Sequence, residues 1–382
     1  MTDLPGEPSA SPEPVEPPPL DAPPPLPELD PVPPFPIPSP PDLSPRPFQF
    51  TGSGAEYFRI WIVNLLLSLV SLGIYSAWAK VRRLRYFYGH TSVDGATFGY
   101  HASPIAILKG RLIAYAVVAI LAIVSNVAPL LASVLYLPLL VLTPIVLVRA
   151  MRFRAVNSSY RGIRFNFDGL ENDAFSVYLL LPMLVPLTLG LIYPYVIARQ
   201  REFMVDHSRL GRSRFVLGLP VWPVYRIYGT AVVAGIAWFG VLAVTLAGTM
   251  LVTGADGNDP SMSPGVAMVV LFTYVLVGVV YVCVRTAFEN LVWNNTMLDE
   301  HRFISRLRIP QMLAIYAANI VTIALTLGLA VPWARVRLAR YRAESLTLLP
   351  GGPLLSEADA AAGEDSATGA ELSEAMDLDF GL

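Results

Sequence analysis

The sequence predicts an all-α polytopic membrane protein assembled from tandem repeats, and three observations predict it. Of 382 residues, 54% are hydrophobic and the mean hydropathy is +0.53, outside the range of a soluble enzyme. An apolar stretch broken by Ser/Thr-Leu-Gly occurs three times, around Gly73, Gly190 and Gly328. In each copy an aromatic follows the Gly by five residues (Trp78, Tyr195, Trp333) and an Arg by nine (Arg82, Arg199, Arg337). Finally, Trp78, Thr91, Phe98 and Lys109 match Tyr195, Ser208, Phe215 and Arg226, each pair 117 residues apart.

Taken in order, residues 1–47 hold 20 prolines and eight acidic residues, a composition expected to stay disordered and largely polyproline II. A first membrane repeat spans 48–165, a second 166–303 and a closing segment 304–348, followed by an acidic disordered tail over 349–382. Seven hydrophobic segments fall at about 57–79, 111–131, 133–149, 174–198, 228–253, 265–284 and 312–334. The second and third, and the fifth and sixth, read as helical hairpins, because Arg111 to Arg149 encloses no charge and Arg226 to Arg285 only Asp256 and Asp259.

Between these segments a second motif recurs: His or Asn, then Ser or Thr, then Phe seven residues on. Its copies are Thr91 with Phe98, Ser158 with Phe165, Ser208 with Phe215, and Thr296 with Phe303. The alternation around Val93-Asp94-Gly95 predicts short β-hairpins just outside the bilayer.

Charge bears on topology. Outside the two acidic tails the chain carries 26 basic and 13 acidic residues. Seven simple spans would place the bases of the second repeat on the opposite face from those of the first, against the positive-inside rule. A re-entrant hairpin with its tip at Gly73, Gly190 or Gly328 removes the conflict, with tips inside the protein and both tails cytoplasmic. A kinked span is the alternative.

These residues resemble the YjgN-like family of bacterial inner-membrane proteins. The resemblance is carried by Tyr57-Phe58, Asn64, Leu72-Gly73-Ile74-Tyr75, Trp78-Ala79, Tyr86, Asn157-Ser158, Gly162-Ile163-Arg164-Phe165 and Trp293 with Asn295-Thr296. It covers about 48–348 and implies a multi-pass inner-membrane protein, with no activity to carry over.

The residues themselves show no nucleotide loop, no metal-ligand spacing and no catalytic constellation, so no enzyme, no cofactor, no metal and no nucleic acid is expected. Lone Cys283 excludes an intramolecular disulfide. Asn64 and Asn319 are the intramembrane polar candidates, for helix–helix hydrogen bonds or solute contact. Trp78, Tyr195 and Trp333 suit the membrane interface, and Arg82, Arg199 and Arg337 suit anionic lipid or an anionic solute. The Pro-rich tail suits a protein partner. Two functions stay open: a channel or facilitator for a small, anionic solute, or a non-transporting scaffold binding lipid or protein.

Overall fold

The computed structural model describes residues 43–253 and 264–352. The Pro-rich tail over 1–42, the 254–263 turn with Asp256 and Asp259, and the acidic tail from 353 on lie outside the described residues.

Strands β1 (Arg46–Pro47) and β2 (Gln49–Phe50) flank Phe48, and five helical hairpins follow. The first is α1 (Gly54–Val70) with α2 (Ser76–Gly89), leading into β3 (Thr91–Val93) and β4 (Ala96–Tyr100). The second is α3 (Pro104–Val127) with α4 (Pro129–Val156), then β5 (Ser158–Tyr160) and β6 (Ile163–Phe167). The third runs through α5 (Glu171–Phe175), a π-helical turn (Ser176–Leu180), α6 (Leu181–Leu187) and α7 (Tyr193–Asp206), then β7 (Ser208–Leu210) and β8 (Ser213–Leu217). The fourth is α8 (Val221–Thr253) with α9 (Pro264–Asn294), then β9 (Thr296–Leu298) and β10 (His301–Ser305). The fifth is α10 (Ile309–Leu325) with α11 (Val331–Glu344), ending on β11 (Leu346–Leu349).

The protein is therefore not all-α. The four expected β-hairpins form, but they join into one antiparallel sheet of eleven strands in the order β1-β11-β10-β9-β8-β7-β6-β5-β4-β3-β2. The two ends of that order are separated in the chain by Phe48 alone, so the sheet closes into a barrel through the backbone. Arg46 pairs with Leu348 on one side and Phe50 with Thr91 on the other, while the Phe48 N–H donates to Leu346 O at 3.0 Å. A barrel leaves no free edge, which is why such short strands persist.

One local code builds every unit. The residue after each second helix returns its side chain to the carbonyl four residues back: His90 Nδ1 on Tyr86 O, Asn157 on Phe153, His207 Nδ1 on Phe203, Asn295 on Leu291 and Ser345 on Tyr341, at 2.7–2.9 Å. The hydroxyls of Thr91, Ser158, Ser208 and Thr296 do the same, at 2.7–2.8 Å. The recurring dipeptide is thus a helix C-cap that satisfies two orphan carbonyls at each helix-to-strand corner. The backbone carbonyls of those five residues then accept from the N–H groups of His101, Asp168, Gly218, Arg306 and Thr51, each the residue just after a neighbouring strand, at 2.8–3.3 Å. Each donor lies three residues after a Phe, and each helical hairpin begins six residues after it: Phe48, Phe98, Phe165, Phe215 and Phe303.

The 117-residue register therefore relates the first hairpin to the third and the second to the fourth, and the underlying period is finer: five quasi-equivalent units. The fifth lacks a second strand of its own, and the Arg46–Phe50 segment supplies it. Boundaries at 165/166 and 303/304 fall inside β6 and β10.

Because β2 pairs with β3, β6 with β7 and β10 with β11, both ends of each broken segment meet on adjacent strands. The same holds for the long hairpins through β4–β5 and β8–β9. All ten helix ends thus attach to one rim of the barrel, with the β-turns on the other. Four helices are long and apolar enough to cross a membrane, at Pro104–Val127, Pro129–Val156, Val221–Thr245 and Ala267–Asn294. The arms of the broken hairpins are shorter: 17 and 14 residues in both the first and the fifth, about 25 and 21 Å at 1.5 Å per residue. Consecutive hairpins pack side by side, and α1 against α11 closes the ring, with Arg335 donating to Tyr57 Oη and Arg340 to Gly52 O.

Candidate functional site

Inward-facing strand residues stack in layers, because successive side chains alternate between the faces of the sheet. The layer at the β-turn rim contains Val93, Tyr160, Ile163, Leu210, Leu298 and Leu348, each at most 6% exposed. Tyr160 Oη donates to Val93 O at 3.0 Å across it. Above lie the five phenylalanines. Phe48 meets Phe98 at 6.2 Å and Phe303 at 6.5 Å, Phe215 meets Phe303 and Phe165 at 6.3 Å, and Phe98 meets Tyr160 at 4.9 Å. Aromatic pairs at these separations attract one another beyond their area burial.

On the helix side of the phenylalanines is a chamber of about 790 Å³, bordered by Phe48, Phe98, Phe165 and Phe215 and by the C-terminal ends of α2, α7, α9 and α11. Such a volume suits a small-molecule site. Its wall is largely apolar and carries four charged residues: Arg201, Arg285, Glu289 and Arg342. Glu289 Oε1 takes Arg285 Nε at 3.1 Å and Arg342 at 3.4 Å. Arg342 Nε is buried without a hydrogen-bond partner. Arg201 sits over the Phe288 ring at 5.9 Å and makes no ion pair among the described residues. Three guanidinium groups thus face one carboxylate.

The structure brings Phe98, Phe165 and Phe215 to the chamber with Thr91, Ser208 and Thr296, while Phe303 is buried against Phe215 behind it. Ser158 is buried and lies away from it. Phe48 was not legible, because its unit is split between the two ends of the described chain; only its six-residue offset from a helix start could have revealed it. Glu289 escaped because the apolar run ends near 284, whereas α9 continues to Asn294. Its one signal was the Arg285-to-Glu289 spacing of four.

The other candidates stay apart from the chamber. At the tips, Leu72, Leu189 and Leu327 take φ of 49–51° and Gly73, Gly190 and Gly328 take φ of 85–93°. Each Gly N–H donates five residues back, at 2.7–2.8 Å, a Schellman-type closure. Ser71, Thr188 and Thr326 then accept from the N–H four residues on, starting the second arm. The tips do not lie in the protein interior: those leucines are 92–95% exposed, and a Cβ on any of the three glycines would meet nothing within 4 Å.

Asn319 is buried and ties α10 to α11, donating to Ala334 O at 3.3 Å and accepting from Arg337 at 3.2 Å. Asn64 is buried at the equivalent position with Oδ1 unpartnered, and Arg82 turns instead to the Tyr75 ring. Arg199 is held by Tyr195 Oη at 3.0 Å and Glu202 at 2.7 Å. Trp333 packs on Phe58 at 5.1 Å and Trp78 on Tyr75 at 6.0 Å. His101 does not approach His90. Its Nε2 lies 2.8 Å from Ser159 Oγ in the next hairpin, and burial, then Arg164 and Arg85, hold its pKa below the usual histidine value.

Exposed leucine at three left-handed positions motivates one prediction. Leu72→Asp or Leu189→Asp should lower the yield of membrane-integrated protein, since a central carboxylate costs about 2.5–3.5 kcal/mol on insertion. Gly73→Ala should cost only the strain of a left-handed residue, about 1–2 kcal/mol. Unchanged yield for both Asp variants would mean that the tips face water.

Comparison with known proteins fits this architecture. The family model described as "Bacterial protein of unknown function (DUF898)" matches residues 45–375, beginning one residue before β1. Inner membrane protein YjgN of Salmonella typhimurium is 25% identical over 341 residues, covering 78% of this chain and 86% of that protein. Inner membrane protein YjgN of Escherichia coli strain K12 is 34% identical over 153 residues, and that of Escherichia coli O157:H7 likewise. In those two matches the chain spans 38% of the relative's length and 40% of its own. No solved structure matches. With four spanning-length apolar helices and a family match over most of its length, the chain is an integral membrane protein and belongs to the YjgN-like family, DUF898.

Proposed function

We propose that this protein is an inner-membrane facilitator for a small anionic solute, without enzymatic activity, and that the present conformation is shut. The observation that carries this reading is the amphipathic chamber between the helix ends and the barrel, with its surplus of guanidinium groups. The α3–α4 and α8–α9 hairpins cross the bilayer. The three short hairpins re-enter, because arms of about 21–25 Å fall short of a hydrocarbon core of about 30 Å. Arg209, Arg214 and Arg302 on the strands and Arg212 in the β7–β8 turn support a cytoplasmic barrel, with both ends of the described chain on that side. Passage along the barrel is blocked by two packed layers, the phenylalanines and the buried plug beneath them.

The test is efflux of benzenesulfonate, a permanent anion, from proteoliposomes. Wild type should release it slowly, and Leu210→Ala with Leu298→Ala, which thins the plug, should release it severalfold faster. Equal rates in empty, wild-type and widened liposomes, with both proteins folded by circular dichroism, would overturn the facilitator and leave a scaffold that binds anionic lipid through its basic face.

A further inference from the structure

The charges of the chamber specify more than a sign, and this inference rests on the chamber being the solute site. Arg285 and Arg342 share one carboxylate oxygen of Glu289, so those two guanidinium groups already hold an anion between them. Arg201 alone borders the chamber with no carboxylate, lying over the Phe288 ring. Arg201 is exposed and so accessible to a ligand, and a guanidinium grips carboxylate or phosphate oxygens through two parallel N–H bonds. Opposite the charges lies an apolar floor of four phenylalanines, Phe48, Phe98, Phe165 and Phe215, and the hydroxyls of Thr91, Ser208 and Thr296 beside it are already spent on helix carbonyls. The inventory is one available cation and one extended apolar surface.

We propose that the chamber binds an amphipathic molecule with a single oxyanion head, a long-chain carboxylate or an alkyl phosphate. The head sits on Arg201, and the chain lies against Phe165, Phe215 and Phe98. The Glu289 carboxylate, held by Arg285 and Arg342, repels a second anionic group and so favours a singly headed ligand over a dicarboxylate. Two sources supply this chemistry, a membrane phospholipid and a free amphiphile, and they differ in whether bilayer lipid competes for the site.

The experiment uses the full chain in nanodiscs of neutral phosphatidylcholine, with 11-(dansylamino)undecanoate as the fluorescent probe and empty nanodiscs as the blank. Expected is saturable emission above the blank, displaced by decanoate and decyl phosphate but not by decanol, decylammonium or sebacate. Arg201→Gln should weaken probe binding about tenfold or more, the loss of one charge-assisted contact. Arg201→Lys should retain part of the affinity, and Arg302→Gln, on the outward face of β10, should leave it unchanged. Loss of probe binding when phosphatidylglycerol is added to the nanodisc identifies lipid as the occupant, and its persistence identifies a free amphiphile; either source satisfies the proposal. Displacement by decylammonium as effective as by decanoate, or full affinity in Arg201→Gln, overturns it. Binding without benzenesulfonate flux would keep this site and remove the facilitator, so the two readings fail separately.

Discussion

Deleting residues 1–50 is expected to abolish folded protein, while deleting 1–42 should leave it intact. The Arg46–Phe50 segment is the only link between the two ends of the sheet order, pairing with β11 through Arg46 and Pro47 and with β3 through Gln49 and Phe50. Its loss opens the barrel along two unpaired strands, which invites edge-to-edge association. It also removes Phe48, which bridges Phe98 and Phe303. That ring alone is worth about 3 kcal/mol, the lower end of the range for core Phe→Ala substitutions, because Phe48 is only partly buried. The measurement is the yield and thermal midpoint of monodisperse protein in detergent. A crosslink separates strand pairing from a general folding defect. Cysteines at Pro47 and Thr347, which are register partners, should form a disulfide in a Cys283→Ser background. Normal yield and midpoint after deletion of 1–50 would show that the barrel holds without its closing strand.

The second large effect is all-or-none labelling by an impermeant thiol reagent in intact cells. Single cysteines at Thr97, Arg161, Arg212 and Glu300 all lie on exposed positions of the barrel hairpins and should be protected until the cells are broken. A cysteine at Val127, 81% exposed at the C-terminal end of α3, should label from outside. Ser261, the corresponding site between α8 and α9, lies outside the described residues and is expected to behave like Val127. Ser159 and Thr296 are too buried to serve as labelling sites. The expectation follows from hydrogen bonds rather than hydropathy. Each hairpin starts and ends on paired strands, so no segment can leave its first end on one side of the membrane and its last on the other. Labelling of Arg212 and Glu300 from outside, with Thr97 protected, would require those pairings to be absent and would restore an inverted, seven-span arrangement.

Much of this was legible in the chain because it is written in local chemistry. A Gly at φ near +90°, a Ser or Thr that starts the next helix, and a His or Asn that caps the last one act within five residues, so their spacing survives in the linear sequence. The membrane class and the four spanning helices follow from composition and length in the same way. The re-entrant reading rested on arginine distribution, and strand pairing supplies an independent reason for both ends of each broken segment to lie together.

What only the tertiary structure decided depends on contacts between residues far apart in the chain. Four hairpins of three- and five-residue strands look like separate ornaments, and nothing local says that Phe98 will pair with Tyr160, or Phe215 with Leu298, to make one barrel. The fifth unit is invisible because its strand lies at the opposite end of the described chain from its helices, and closure joins Arg46 to Leu348. The tips were expected inside because non-helical backbone at membrane depth is tolerated only within protein or beside water. They are exposed because these glycines serve a left-handed backbone and nothing approaches them. The chamber is likewise a tertiary fact: Arg201, Arg285, Glu289 and Arg342 come from three helices of three different hairpins, and only ring closure sets three cations and one anion around a single apolar floor.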